Sequence, residues 1–124
     1  MRKIRMAVLA AAVGVAAFST AASAGDAAKG EKVFKRCVAC HTVDGKSKAT
    51  GPTLAGVVGR AAGSLEDFKY SPAMAGSGKT WDEASLDAYL TKPKDFIPGN
   101  KMAFPGLPKA EDRADVIAYL STLK

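Results

Sequence analysis

Cys37-Val38-Ala39-Cys40-His41 is the stretch from which the rest of the chain is read. Its chemistry-bearing side chains stand three and four residues apart, so one helical turn carries both thiols and the imidazole to a common face. A Cys-x-x-Cys-His run reads as a site of c-type haem attachment. The two thiols add across the vinyl groups of one porphyrin, and the next residue offers its imidazole to the iron. Three other readings compete. A redox dithiol wants a βαβ context, which is not found here. A tetrahedral zinc wants four ligands, and the chain holds 2 cysteines and 1 histidine in total. A disulfide between residues so close makes a tight ring and staples nothing.

The chain has 124 residues, enough for one domain and little more. Arg2, Lys3 and Arg5 form a positive n-region, Met6 to Phe18 is apolar apart from Gly14, and Ala22-Ser23-Ala24 has the small residues of a cleavage site. Residues 1–24 are therefore expected to be a signal peptide cut after Ala24, leaving a domain of residues 25–124 that is soluble and periplasmic. The competing reading, a retained anchor, needs roughly 18 or more apolar residues, longer than this run. Export places the cysteines in an oxidising compartment, where thioether bonding to haem explains a pair too close to make a useful staple. Of 18 Lys and Arg, the leader removes three and no acid, leaving 15 against 12 Asp and Glu, a net +3. So mild a balance, without a dense basic face interleaved with aromatics, argues against nucleic acid as a partner and is compatible with docking on acidic protein surfaces.

Asp26 is an expected N-cap, followed by a helix whose Gly30, Val33, Phe34 and Cys37 make one buried stripe. From His41 to Ser64 glycine, proline and Asp-Gly chemistry predict irregular chain, which can follow a porphyrin edge that no helix face matches. Ser71-Pro72 to Gly76 reads as one short helical turn. Thr80-Trp81-Asp82-Glu83 fits a capping box for a helix carrying Leu86, Tyr89 and Leu90, and Pro93 stops it. Ile97 to Gly106 is again irregular. The last helix, about Ala110 to Leu123, has Glu111 and Asp112 at its positive end and a stripe of Val116, Ile117, Leu120 and Leu123. The expected fold is all-α, with three main helices and one short turn.

One histidine leaves the sixth position of a haem iron undecided, and that position separates a carrier from an enzyme or a gas sensor. The soft candidates after the leader are Met74 and Met102. Met74, set between alanines on a short turn, reads as a core gap-filler. Met102 sits in a polar loop held by proline and glycine, where packing does not account for it.

The chain resembles the class I c-type cytochromes, close to mitochondrial cytochrome c and its small bacterial periplasmic relatives. The resemblance covers essentially residues 25–124. It rests on Gly30, Phe34 and Cys37-x-x-Cys40-His41; on Gly51-Pro52-x-Leu54-x-Gly56-x-x-Gly59-Arg60, Tyr70 and Trp81; on Tyr89-Leu90 and Pro93; and on Ile97-Pro98-Gly99-x-Lys101-Met102-x-Phe104 and Val116 to Leu120. It implies one haem c per chain, covalent through Cys37 and Cys40, with His41 as proximal and Met102 as distal iron ligand. It further implies that the Pro52 carbonyl orients His41, that Arg60, Tyr70 and Trp81 hold the haem propionates, that Tyr89 reaches the Met102 sulfur, and that Gly30 lets the first helix cross the last. Trp81 and Tyr89 also read as core aromatics of an amphipathic helix, whereas Arg60 in its glycine loop has no core role. Asn100 departs from the family pattern, where threonine is common, and so does Met74, where asparagine is common.

The implied function is that of a one-electron carrier, a monomer and not an enzyme. It would shuttle between larger membrane-bound redox complexes, respiratory or photosynthetic: a donor such as a quinol-oxidising cytochrome complex, and an acceptor such as a terminal oxidase or a photosynthetic reaction centre. Contact with the membrane surface would be transient. Lys35, Arg36, Lys46, Lys94 and Lys101 flank the segments that would frame the haem edge. A peroxidase-like enzyme would need an open sixth site and distal acid–base groups, and a sensor would need the open site; Met102 blocks that site and no second histidine exists.

Overall fold

The computed structural model describes residues 25–124 and, before them, Gly14 alone. The expected leader and its cleavage point lie outside the described residues. Among the described residues five helices follow one another: α1 (Ala27–Phe34), α2 (Pro72–Ala75), α3 (Glu83–Thr91), α4 (Pro93–Phe96) and α5 (Ala110–Leu120). Among the described residues, strand pairing is confined to isolated bridges between Lys48 and Gly51 and between Ala61 and Thr80. The all-α expectation therefore holds, with one short helix, α4, in a stretch to which the sequence reading assigned no element.

Side chains or proline set most of the helix starts. The Asp26 carboxylate accepts from the Ala28 and Lys29 amides and begins α1. Ser71 accepts from the Met74 amide, with Pro72 in the first turn of α2. For α3 the cap is Asp82, whose carboxylate accepts from Ser85 N–H at 2.7 Å, and not Thr80 as the capping-box pattern suggested. The reason is local: Trp81 N–H donates to the Arg60 carbonyl and Gly59 N–H to the Trp81 carbonyl, both at 2.8 Å, so Trp81 belongs to the preceding loop and the helix starts two residues later than expected. The ring of Pro93 ends α3 and opens α4.

The core forms where α1 crosses α5. Gly30 lies against the backbone of α5 so closely that a Cβ there would stand 1.9 Å from the Asp115 carbonyl oxygen. Beside this crossing the Phe34 and Tyr119 rings meet at 5.1 Å, over buried Val116, Ile117 and Leu120. Arg113 ties α5 to its neighbours, with Nε 2.8 Å from the Asp87 carboxylate on α3 and Nη1 on the Leu107 carbonyl at 2.8 Å. A second group of buried side chains, Trp81, Leu86, Tyr89 and Ile97, continues the core toward the segment that carries Met102.

Candidate functional site

The chain leaves α1 in a tight turn in which the amides of Cys40 and His41 both reach the Cys37 carbonyl, at 3.1 and 2.9 Å. This is the turn that gathers the thiols and the imidazole. Cys37 is half-buried and Cys40 exposed, and no disulfide joins them. Burial pushes the Cys37 thiol up, with Arg36 pulling weakly the other way. A reactive cysteine wants the opposite, a stabilised thiolate, so Cys37 is poorly placed for thiol–disulfide exchange. Among the described residues no group of three or more His, Cys, Asp and Glu could hold a metal ion.

His41 is held by its own loop. Its Nδ1 lies 2.7 Å from the Pro52 carbonyl oxygen. A carbonyl can only accept, so Nδ1 carries the proton and Nε2 keeps its lone pair. Burial pushes the His41 pKa down; the Pro52 bond opposes this, and Arg60 and Lys48 add to it, so the ring is neutral at pH 7. Gly51 makes the approach feasible, since a Cβ there would meet the Cys40 carbonyl at 2.5 Å and the imidazole at 3.0 Å. The chain thus presents a neutral imidazole with one nitrogen fixed and the other free to coordinate.

Met102 has a different setting. Its thioether accepts from the Tyr89 hydroxyl at 3.7 Å, and burial pushes that phenol up to about 12, so it stays a donor across the physiological range. The Trp81 ring packs against Tyr89 at a 45° tilt, with centroids 4.8 Å apart, and so braces the ring that reaches the sulfur. Met102, Phe104, Leu54 and Cys37 are all half-buried and pack against the same core cluster.

Of the three residues assigned to the propionates, Arg60 and Trp81 are brought together by the bond from the Trp81 amide to the Arg60 carbonyl. The Arg60 guanidinium donates to the Ala55 and Thr53 carbonyls at 3.1 and 2.8 Å and keeps N–H groups to spare. Burial lowers its pKa, while Tyr70 and Asp67 nearby oppose that. The Tyr70 hydroxyl accepts from the Leu65 amide at 3.3 Å. Trp81 is 7% exposed, so the core reading applies to it as well. Thr53, not singled out from the sequence, is a hub. It is 3% exposed, with its hydroxyl bonded to the Thr42 carbonyl and to the Gly45 and Ala55 amides. A lone threonine in a glycine loop gives no periodic signal by which to find it.

The donor set can be tested against haem c. Two free thiols stand on one turn, a neutral nitrogen and a thioether suit iron, and a cationic half-buried guanidinium suits carboxylates. These residues fit the group. The model of the cytochrome c family matches residues 27–124. The chain belongs to the cytochrome c family. A cytochrome c2 of Rhodomicrobium vannielii is 51% identical over 123 residues, covering 98% of this chain and 97% of that protein. A cytochrome c2 of Rhodoblastus acidophilus is 50% identical over 102 residues, covering 82% and 95%. Among solved structures, cytochrome cH from Methylobacterium extorquens matches with a TM-score of 0.76 and 48% identity, over 79% of this chain and 99% of that one. As a cytochrome c, the protein carries haem c covalently through Cys37 and Cys40, and it transfers electrons and is not an enzyme.

Proposed function

We propose that the protein is a periplasmic, monomeric carrier in which His41 and Met102 are the axial ligands of the haem iron, shuttling between membrane-bound redox complexes. The observation that carries the ligand assignment is the 2.7 Å bond from His41 Nδ1 to Pro52, which leaves Nε2 as a free donor. When bound, haem c supplies an iron that changes valence by one electron, and a methionine ligand favours the reduced form. The protein's own residues do the rest. Pro52 keeps the imidazole in one orientation and raises its basicity, Tyr89 holds the thioether, and Arg60, Tyr70 and Trp81 neutralise or bond the propionates. With His41 and Met102 both donating to the iron, the electron could move without any bond to an outside ligand forming or breaking.

The leader reading supports export. Residues 1–24 would be removed and Gly25 would begin the mature chain; its α-carbon already lies so close to Ala114 of α5 that a Cβ would meet the carbonyl oxygen at 2.0 Å. N-terminal sequencing of protein from the periplasm is expected to start at Gly25, and a start at Met1 would contradict the export reading.

For docking, Lys35, Arg36, Lys46, Lys94 and Lys101 are all exposed. A shallow recess lined by Lys92, Lys94, Ala103, Phe104 and Pro105 adjoins the Met102 segment, and it combines an apolar centre with cations. Such a surface suits a small, charge-steered, short-lived interface with an acidic partner, such as a quinol-oxidising complex on one side and a terminal oxidase or reaction centre on the other. Electron transfer to a partner complex is expected to slow steeply as salt rises, because the screening length falls from about 10 Å at 0.1 M to about 3 Å at 1 M. Charge reversals at Lys94 and Lys101 are expected to lower the association rate by about tenfold or more, within the range steering provides, and reversal at Lys109 to change it little. Equal small effects at all three positions, with a flat salt profile, would place the interface elsewhere.

A further inference from the structure

Asn100 is a buried polar side chain in the segment that carries Met102, 8% exposed. Both polar atoms of its carboxamide are in use. Nδ2 donates to the carbonyls of Pro93 and Ile97, each at 2.9 Å, and Oδ1 accepts from the Met102 amide at 2.9 Å. The surroundings allow only this orientation. Two carbonyls can only accept and an amide N–H can only donate, so a flipped carboxamide would set oxygen against oxygen. One side chain therefore joins the first residue of α4, the residue that ends it, and the backbone of Met102. The chain between them contains Pro98 and Gly99, the latter at φ 89°, and belongs to no helix.

We propose that Asn100 is a positioning residue for Met102: its carboxamide ties the Met102 backbone to α4 and so sets how readily the thioether yields its place to an incoming ligand. This rests on the reading of Met102 as distal ligand. For the thioether to withdraw, the segment has to move away from α4. That movement separates the Met102 amide from Oδ1, or takes the Nδ2 bonds from the buried carbonyls of Pro93 and Ile97 and leaves each with one backbone amide as donor, a loss that is costly where water is excluded. The carboxamide is hard to replace. A serine or threonine hydroxyl has a single hydrogen and cannot serve both carbonyls, and an aspartate turns a negative charge on them.

The test uses the ferric haem-loaded protein titrated with imidazole, with Met102→Ala, Asn100→Ala, Asn100→Ser and Asp26→Ala compared. Asp26 caps α1, at the other end of the fold's sequence, and its loss controls for general destabilisation. Asn100→Ala is expected to raise imidazole affinity about tenfold, the size of one buried hydrogen bond. Asn100→Ser is expected to fall between it and the native protein, and Asp26→Ala to stay within about twofold for a similar loss of Tm. Equal affinities for Asn100→Ala and Asp26→Ala would overturn the proposal. In the native protein the Met102 amide is expected to exchange its hydrogen at least about tenfold more slowly than an unstructured peptide. Exchange at the unstructured rate would overturn the proposal too, without any variant having to fold. If Met102→Ala leaves imidazole affinity unchanged, the ligand reading itself fails. If Met102→Ala opens the iron and Asn100→Ala does not, the proposal alone fails.

Discussion

Replacing Met102 by alanine is expected to lower the midpoint potential by on the order of a few tenths of a volt, within the roughly 0.8 V span that axial ligands command, and to make the ferric protein bind cyanide and imidazole. The same change at Met74 is expected to do neither. The two methionines differ in what holds them. Met102 lies in an irregular segment, its sulfur on the Tyr89 hydroxyl and its amide on Asn100, so both ends of the residue are placed. Met74 sits inside α2 between Ala73 and Ala75, half-buried, and packs against the core cluster as a gap-filler does. Its loss removes packing and leaves the ligand in position. Spectroelectrochemistry of both variants, with ligand titrations, measures the difference. Like behaviour at the two positions, or opening of the iron by Met74→Ala, would reverse the assignment.

Gly30→Val is expected to be the most damaging single substitution for stability. A Cβ at this position would lie 1.9 Å from the Asp115 carbonyl oxygen, 2.5 Å from its carbon and 2.8 Å from Tyr119 Cβ. Two of these are backbone atoms of α5, which no rotamer change can move aside. The helices would have to part, loosening the Phe34–Tyr119 contact and uncovering Val116. Overpacking costs roughly 1–3 kcal/mol when only side chains yield, and more when backbone must. A cost of about 3 kcal/mol or more is a large share of a total of roughly 5–15 kcal/mol. It corresponds to a fall in Tm of about 12 °C or more in a domain of this size. Gly45→Ala is the informative comparison, because Gly45 has φ 87° with nothing within 4 Å of its would-be Cβ. Only the left-handed backbone is strained there, at about 1–2 kcal/mol. If the two variants melt alike by calorimetry, close approach of α1 to α5 is not what Gly30 provides.

The attachment turn, the all-α class and the starts of α1 and α2 were legible in the sequence because each is local: a fixed spacing, a capping side chain, a proline in the first turn. The start of α3 was misread for a nonlocal reason. Thr80 to Glu83 satisfies the capping pattern, but the pairing of Trp81 with Gly59 and Arg60, some twenty residues earlier, holds the chain extended until Asp82. No pattern within the segment reveals that. Helix α4 was hidden for a different reason, since four residues, the first a proline, are too few to show a period. For the site, His41, Pro52, Tyr89 and Met102 could be named from motif and resemblance, and the contacts from His41 to Pro52 and from Tyr89 to Met102 are present in the fold. What escaped was the support beneath them. Thr53 and Asn100 act through backbone groups of nearby loop and helix-end residues, and backbone partners leave no trace in residue type.

Cys37 and Cys40 together hold one haem covalently. Acid–acetone extraction of the matured protein, followed by intact mass measurement of the precipitated polypeptide, tests it most directly. The expected result is that the colour stays with the protein, that its mass exceeds the mature polypeptide by one haem, and that neither Cys37 nor Cys40 reacts with a thiol alkylating reagent. Haem recovered in the organic phase, from a polypeptide of bare mass whose two thiols both alkylate, would contradict the account.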